Sequence, residues 1–279
     1  MFCGLESALA SGRSRPRAAA SANAGRMLSR VTLADLTIED EAAFLKLALY
    51  PRLKAVLESS GYEFRVPAEG ESLSWDRAAL LNLTFWNAND ASDVLTDRSI
   101  PADVVTHAAW HHLARKALPT EPSADALFFG EAIASAFDLY LVGALLRTSP
   151  GCSFLETQVP LMAEASERAG QSEDDFEALL GWVAKRPERA FEQLRALLFD
   201  ASTALVAARS VDDAQAALEG LSSSRFSPIL HHYELSNWAL YARAYAPGAL
   251  GPSEPVRALD RAMRDADDSL EWLERSWLG

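Results

Sequence analysis

Residues 124–147 read ADALFFGEAIASAFDLYLVGALLR, and this stretch decides the fold. Asp125, Glu131 and Asp138 interrupt its apolar run, so it lacks the roughly 18 to 20 uninterrupted apolar residues of a membrane-spanning helix. Alanine and leucine lose little side-chain freedom in a helix, and a helix apolar on nearly every side belongs inside a core. The stretch therefore predicts a long buried helix, with Pro119, Pro122 and Ser123 as its connection and cap.

The flanks carry the same pattern outward. Ser99 as N-cap with Pro101 in the first turn predicts a helix running to about Leu118. Further upstream, Thr37 and Asp40 stand at capping-box spacing before Ala43, Phe44, Leu47 and Ala48. Pro51 interrupts or restarts that helix and Gly61 ends it. Tyr62, Phe64 and Val66 then alternate with polar residues, the one strand signal, a short extended element over 62–67. A helix over 75–87 leads into the turn-forming run Asn87 to Asp93. After the Pro150-Gly151 break, helices are expected over 153–169, 173–186, 188–208, 212–221 and 228–246.

A last helix begins near Ser253. Its apolar residues Val256, Leu259, Met263, Ala266, Leu270, Leu273 and Trp277 recur at steps of three and four, the stripe of a helix packed along a partner, either the body of this chain or another protein. The expected fold is all-α or nearly so, a multi-helix bundle-like domain over 31–250 with a C-terminal helix over 253–279.

Charge narrows the partners. The chain of 279 residues carries a net charge of -13, a field that repels nucleic-acid phosphates. Residues 1–30 run the other way, with Arg13, Arg15, Arg17, Arg26 and Arg30 against Glu6 alone, and read as a basic tail outside the fold or a start upstream of Met27, with an organelle transit peptide as the alternative. Cys3 and Cys152 form neither a disulfide framework nor a zinc-knuckle spacing, so a reducing, cytoplasmic setting is expected, with no membrane and no nucleic acid as partner.

All five histidines fall in two places: His107, His111 and His112 in one run, His231 and His232 in another. His107 and His111 are one helical turn apart, so both imidazoles can reach a single ion. Glu131 follows after nineteen intervening residues, on a helical face shared with Phe128, Ala134, Ser135 and Asp138. It completes a candidate ligand set suited to Zn²⁺, with Asp138 or His112 placed to hydrogen-bond a ligand imidazole. The alternative is plain packing, the two histidines beside Trp110 and Glu131 in an ordinary buried hydrogen bond. His231 and His232 are adjacent and point to different sides of the chain, which suits one exposed ring and one packed on Tyr233 or Trp238.

Over residues 100–145 the chain resembles the gluzincin zinc metallopeptidases, in which a His-Glu-x-x-His helix is followed by a ligand glutamate on a later helix. The resemblance implies zinc held by His107, His111 and Glu131. It also shows a departure, because the family's general base stands where this sequence has Ala108. Alanine cannot accept a proton from a nucleophilic water. The expected function is thus a metallopeptidase-like pseudoenzyme holding one divalent ion. The alternatives are a metal-free protein that binds a partner through the C-terminal helix, and a hydrolase whose base is relocated to His112, Asp138 or Glu234. No phosphate-binding loop, dinucleotide fingerprint or Gly-x-Ser-x-Gly elbow is present.

Overall fold

The computed structural model describes residues 28–68, 71, 73–75, 77, 78, 93–118, 123–245 and 248–279. The helix expected over 75–87, the run after it and the Pro119–Pro122 connection lie wholly or mostly outside them. The protein is predominantly α-helical, as expected, and divides into two compact units, one from Met1–Glu39 and Glu58–Ile100, the other from Asp40–Leu57 and Pro101–Gly279.

The smaller unit holds most of the strand structure. Strand β1 (Leu28–Thr32) pairs antiparallel with β3 (Glu63–Pro67), setting Val31 opposite Phe64. Val31, Phe64 and Val66 are buried, so the alternation at 62–67 has its expected cause. Leu28, Ser29 and Arg30 thus belong to the fold, although their composition groups them with the basic tail. What signals β1 is its partner far along the chain, which local composition does not reveal. Strand β2 (Thr37–Glu39) pairs with β4 (Ser99–Pro101). This pairing corrects two expected helix starts. Thr37 lies in a strand rather than a capping box, and Ser99 is extended, its N–H and hydroxyl both donating to Asp97, so the next helix begins at Ala102.

The larger unit is helical: α1 (Glu41–Phe44), α2 (Leu49–Ser60, ending within the smaller unit), α3 (Ala102–Ala117), α4 (Ala124–Thr148), α5 (Ser153–Arg168), α6 (Glu173–Lys185), α7 (Pro187–Ala207), α8 (Val211–Glu219), a 3-10 segment (Ser227–Tyr233), α9 (Leu235–Tyr245), α10 (Glu254–Arg264) and α11 (Ser269–Leu273), then a final turn, Glu274–Leu278. Helix α4 is the axis of the unit. It is long and apolar enough to cross a membrane by length and composition, and most of it is buried inside the helical body. Ser123 caps it, its hydroxyl accepting the Ala126 N–H at 3.1 Å. Helices α3, α6, α7 and α10 all pack against it.

At Gly143 the packing tolerates no side chain. A Cβ there would stand 2.6 Å from the Val183 carbonyl oxygen and 3.1 Å from Pro187 Cβ, at the corner joining α6 to α7. Because the obstacle is backbone, Gly143→Ala is expected to cost about 2–3 kcal/mol and lower Tm by roughly 5–10 °C. A thermal melt unchanged by the substitution would contradict this close approach.

The expected C-terminal helix is broken in two. Asp268 accepts hydrogen bonds from the Leu270 and Glu271 N–H groups at 2.8 and 2.9 Å, starting α11 afresh. Val256, Met263, Leu270 and Leu273 are nevertheless buried, and α10 and α11 pack on α7, α10 also on α4. The stripe's partner is internal. The helix expected over 228–246 is interrupted too, by Glu234 in the left-handed region at φ 46° between the 3-10 segment and α9.

Candidate metal centre

Helices α3 and α4 follow one another and pack side by side, which brings the histidine face of one against the acidic face of the other. On α3, Asp103, His107 and His111 stand at four-residue intervals on one stripe; on α4, Glu131 and Asp138 stand two turns apart. The Nε2 atoms of His107 and His111 are 3.1 Å apart, and His111 Nε2 lies 3.6 Å from Glu131 Oε2. One ligand atom from each of these three side chains falls within 4.8 Å of the others. Zn²⁺ at about 2.0–2.1 Å from each donor of a tetrahedron would space them about 3.3–3.4 Å apart. The separations of His111 from His107 and from Glu131 straddle that value, and closing the set around such an ion requires the three donors, now within 4.8 Å of one another, to draw together.

Asp138 sits behind His107. Its Oδ2 is 3.2 Å from His107 Nδ1. A carboxylate only accepts, so Nδ1 donates the proton and the Nε2 lone pair of a neutral His107 is turned toward His111 and Glu131. Burial disfavours a charged His107, but the charge and hydrogen bond of Asp138, with Glu131 adding to them, outweigh it and hold the pKa above the usual histidine value. A cation held at Nε2 competes with the second proton of the imidazolium while Nδ1 keeps its own, so binding weakens in acid. Replacing Asp138 by Asn removes the carboxylate that fixes this ring, and metal affinity should fall about 10–100-fold by competition with a chromophoric chelator. Unchanged affinity would mean that the ring is oriented by something else.

The other expected residues divide. Burial, with the charges of Lys116 and Arg115 adding to it, lowers the His112 pKa, and the residue stands about a third of a turn round the helix from the His107–His111 stripe. It is not brought to the centre. Glu234 is tied up in its own turn, accepting from Asn237 Nδ2 at 2.7 Å. His231 is exposed, while His232 packs edge-on against Tyr233 at 4.9 Å between ring centroids. Trp110 is fully buried on another flank of α3, stacked edge-on to Phe137 rather than on the histidines. Ala108, where the resemblance calls for a base, is only 3% exposed.

Three further residues feel the charge of the centre: Asp103, which the sequence reading passes over, and His232 and Tyr233, which it names without placing them there. Asp103 extends the histidine stripe by one turn, and burial together with the Asp138 charge pushes its carboxyl up to about 6. Its four-residue step from His107 was the available signal. His232 and Tyr233 also lie within the field of Asp138. Burial depresses His232 to about 4 against that charge, and burial with that charge raises the Tyr233 phenol far above its usual value. The centre remains open to solvent, with the side chains of His107 and His111 34% and 30% exposed.

Comparison of this chain with protein-family models, with curated proteins and with solved structures finds no match to any of them. The functional reading therefore rests on the residues and their arrangement.

Proposed function

We propose that the protein is a metallopeptidase-like metal-binding protein that holds one divalent ion, Zn²⁺ by preference, through His107, His111 and Glu131, and does not carry out peptide hydrolysis by the usual route. The observation that carries this reading is the convergence of two imidazoles and a carboxylate, with Asp138 orienting the first imidazole. Two nitrogens and one carboxylate oxygen are a borderline donor set that suits zinc, and a set of three leaves one coordination position to an outside ligand. When bound, the ion supplies Lewis acidity. The chain's own residues hold it and keep the His107 proton on Nδ1. No carboxylate stands at position 108 to take a proton from a nucleophile.

Elemental mass spectrometry of untagged protein tests the reading directly. Near-stoichiometric zinc is expected, and protein that stays metal-free after zinc addition and desalting overturns it.

Asp103 favours a second reading, a hydrolase with a relocated base. Its carboxyl lies on the ligand stripe, and a value near 6 suits proton transfer close to neutrality. Hydrolysis of ester or peptide probes that depends on zinc and disappears in Asp103→Asn would establish it over the non-catalytic reading.

A further inference from the structure

We infer that the corner where α6 gives way to α7 is a docking surface for an acidic peptide segment, gripped by Arg186 and Arg225 at Trp182. It draws on none of the metal ligands and does not rest on the metal-binding reading. Trp182 stands half-buried in the last turn of α6, and the fully buried Phe226 meets its ring edge-on, 6.0 Å between centroids. Burial of Phe226 anchors the turn that carries Arg225, whose guanidinium carbon lies 3.9 Å from the centre of the Trp182 ring. Arg186, the first residue beyond α6, holds its own guanidinium carbon 6.0 Å from the same ring. Both arginines are exposed, as is Lys185 beside them. Several exposed arginines of the helical unit end on a carboxylate, as Arg168 does on Glu164 and Arg189 on Glu192. Among the described residues neither Arg186 nor Arg225 does so, and Glu188, two residues after Arg186, makes no ion pair with it. A cation against an aromatic ring is held by the ring's quadrupole, which leaves unused the N–H donors that grip a carboxylate in pairs. Two guanidiniums already placed on one ring lose less freedom when a ligand arrives than two free side chains would. What meets them must bring negative charge, and two carboxylates of one short segment match the two forks. A short segment needs only local contact, whereas the net charge of -13 repels a long phosphate backbone that runs past this corner.

The test follows fluorescein-labelled hexaglutamate by fluorescence anisotropy on the full-length protein, with labelled hexaglutamine as the neutral control. Saturable binding of hexaglutamate is expected, with hexaglutamine weaker by about tenfold or more. The double substitution Arg186→Gln, Arg225→Gln should weaken hexaglutamate on the order of tenfold, because both charge-assisted forks are lost. Arg225→Lys keeps the charge without the planar fork and should weaken it by about threefold. Arg168→Gln, which removes an exposed arginine already paired with Glu164, should leave it within about twofold. If the double variant fails to fold, Arg225→Gln alone decides, with a loss of about threefold or more expected. No saturable binding to the wild type, or binding that survives loss of both arginines, overturns the inference. Displacement by inorganic phosphate at the concentration of hexaglutamate would make this a site for a free anion and overturn the peptide as occupant. A concentration-dependent dimer in sedimentation that Arg225→Gln dissolves would assign the surface to a second copy of the chain, and overturns it likewise.

Discussion

The double substitution His107→Ala, His111→Ala is expected to abolish stoichiometric zinc binding and with it the stabilisation that zinc confers. Two of three protein donors disappear, and the remaining Glu131 carboxylate alone cannot hold the ion. Binding to the folded state alone stabilises by about 4 kcal/mol at a free concentration 1,000 times Kd. For a protein of this size, that corresponds to a rise in Tm of roughly 8–16 °C on adding zinc. The wild type should show the rise and the double variant should not. Both side chains are about one-third exposed, so their loss opens no sealed core cavity and the apo variant should melt close to the apo wild type. Equal zinc-induced shifts in the two proteins would place the metal elsewhere. A variant that fails to fold without metal would instead give these histidines a packing role.

The largest effect on stability alone is expected at Asp260. Arg195, at the middle of α7, has a side chain that is 0% exposed, and its Nη1 donates to Asp260 Oδ1 at 2.6 Å. Its guanidinium carbon lies 5.6 Å from the centre of the Phe129 ring, and its Nε and Nη2 have no hydrogen-bond partner. Asp260 also accepts from Arg264 Nε at 2.8 Å, and Arg264 in turn holds Asp200. Arginine stays ionised even though burial lowers its pKa, so Asp260→Ala leaves a desolvated charge with no counter-ion. The expected loss is about 3–5 kcal/mol, against about 1 kcal/mol or less for the exposed pair Arg168 and Glu164. The compensated variant Arg195→Met, Asp260→Leu should recover most of it, because an apolar pair needs no desolvation. A loss below about 1 kcal/mol for Asp260→Ala in chemical denaturation would mean that water reaches the guanidinium.

Local pattern accounts for most of the helices. The spans expected at 153–169, 173–186, 188–208 and 212–221 are found within a residue or two, because each has an amphipathic face and a start or stop signal in its own residues. Failures come where a distant partner or a side-chain cap overrides the local reading. Thr37 and Ser99 look like helix caps, yet β2 and β4 pair with each other. The C-terminal stripe reads as one helix until the Asp268 carboxylate caps a new start. Gly143 and Arg195 carry no signal in the sequence of what they meet. The Val183 carbonyl and the Asp260 carboxylate reach them only through the fold.

The candidate centre divides along the same line. Helical spacing alone sets His107 above His111 and Glu131 in line with Asp138, since those relations depend only on the helical repeat. The absence of a base at position 108 is likewise written in the chain. Which way the two helices face each other is a tertiary matter. The packing of α3 on α4 brings His111 to Glu131 and His107 to Asp138. It also places Asp103, His232 and Tyr233 in the field of one carboxylate, though His232 and Tyr233 are distant in sequence from Asp103 and Asp138. Periodicity is a property of neighbours along the backbone and can be read from them. The charge balance of the centre depends on distances between elements, and those exist only once the helices have packed.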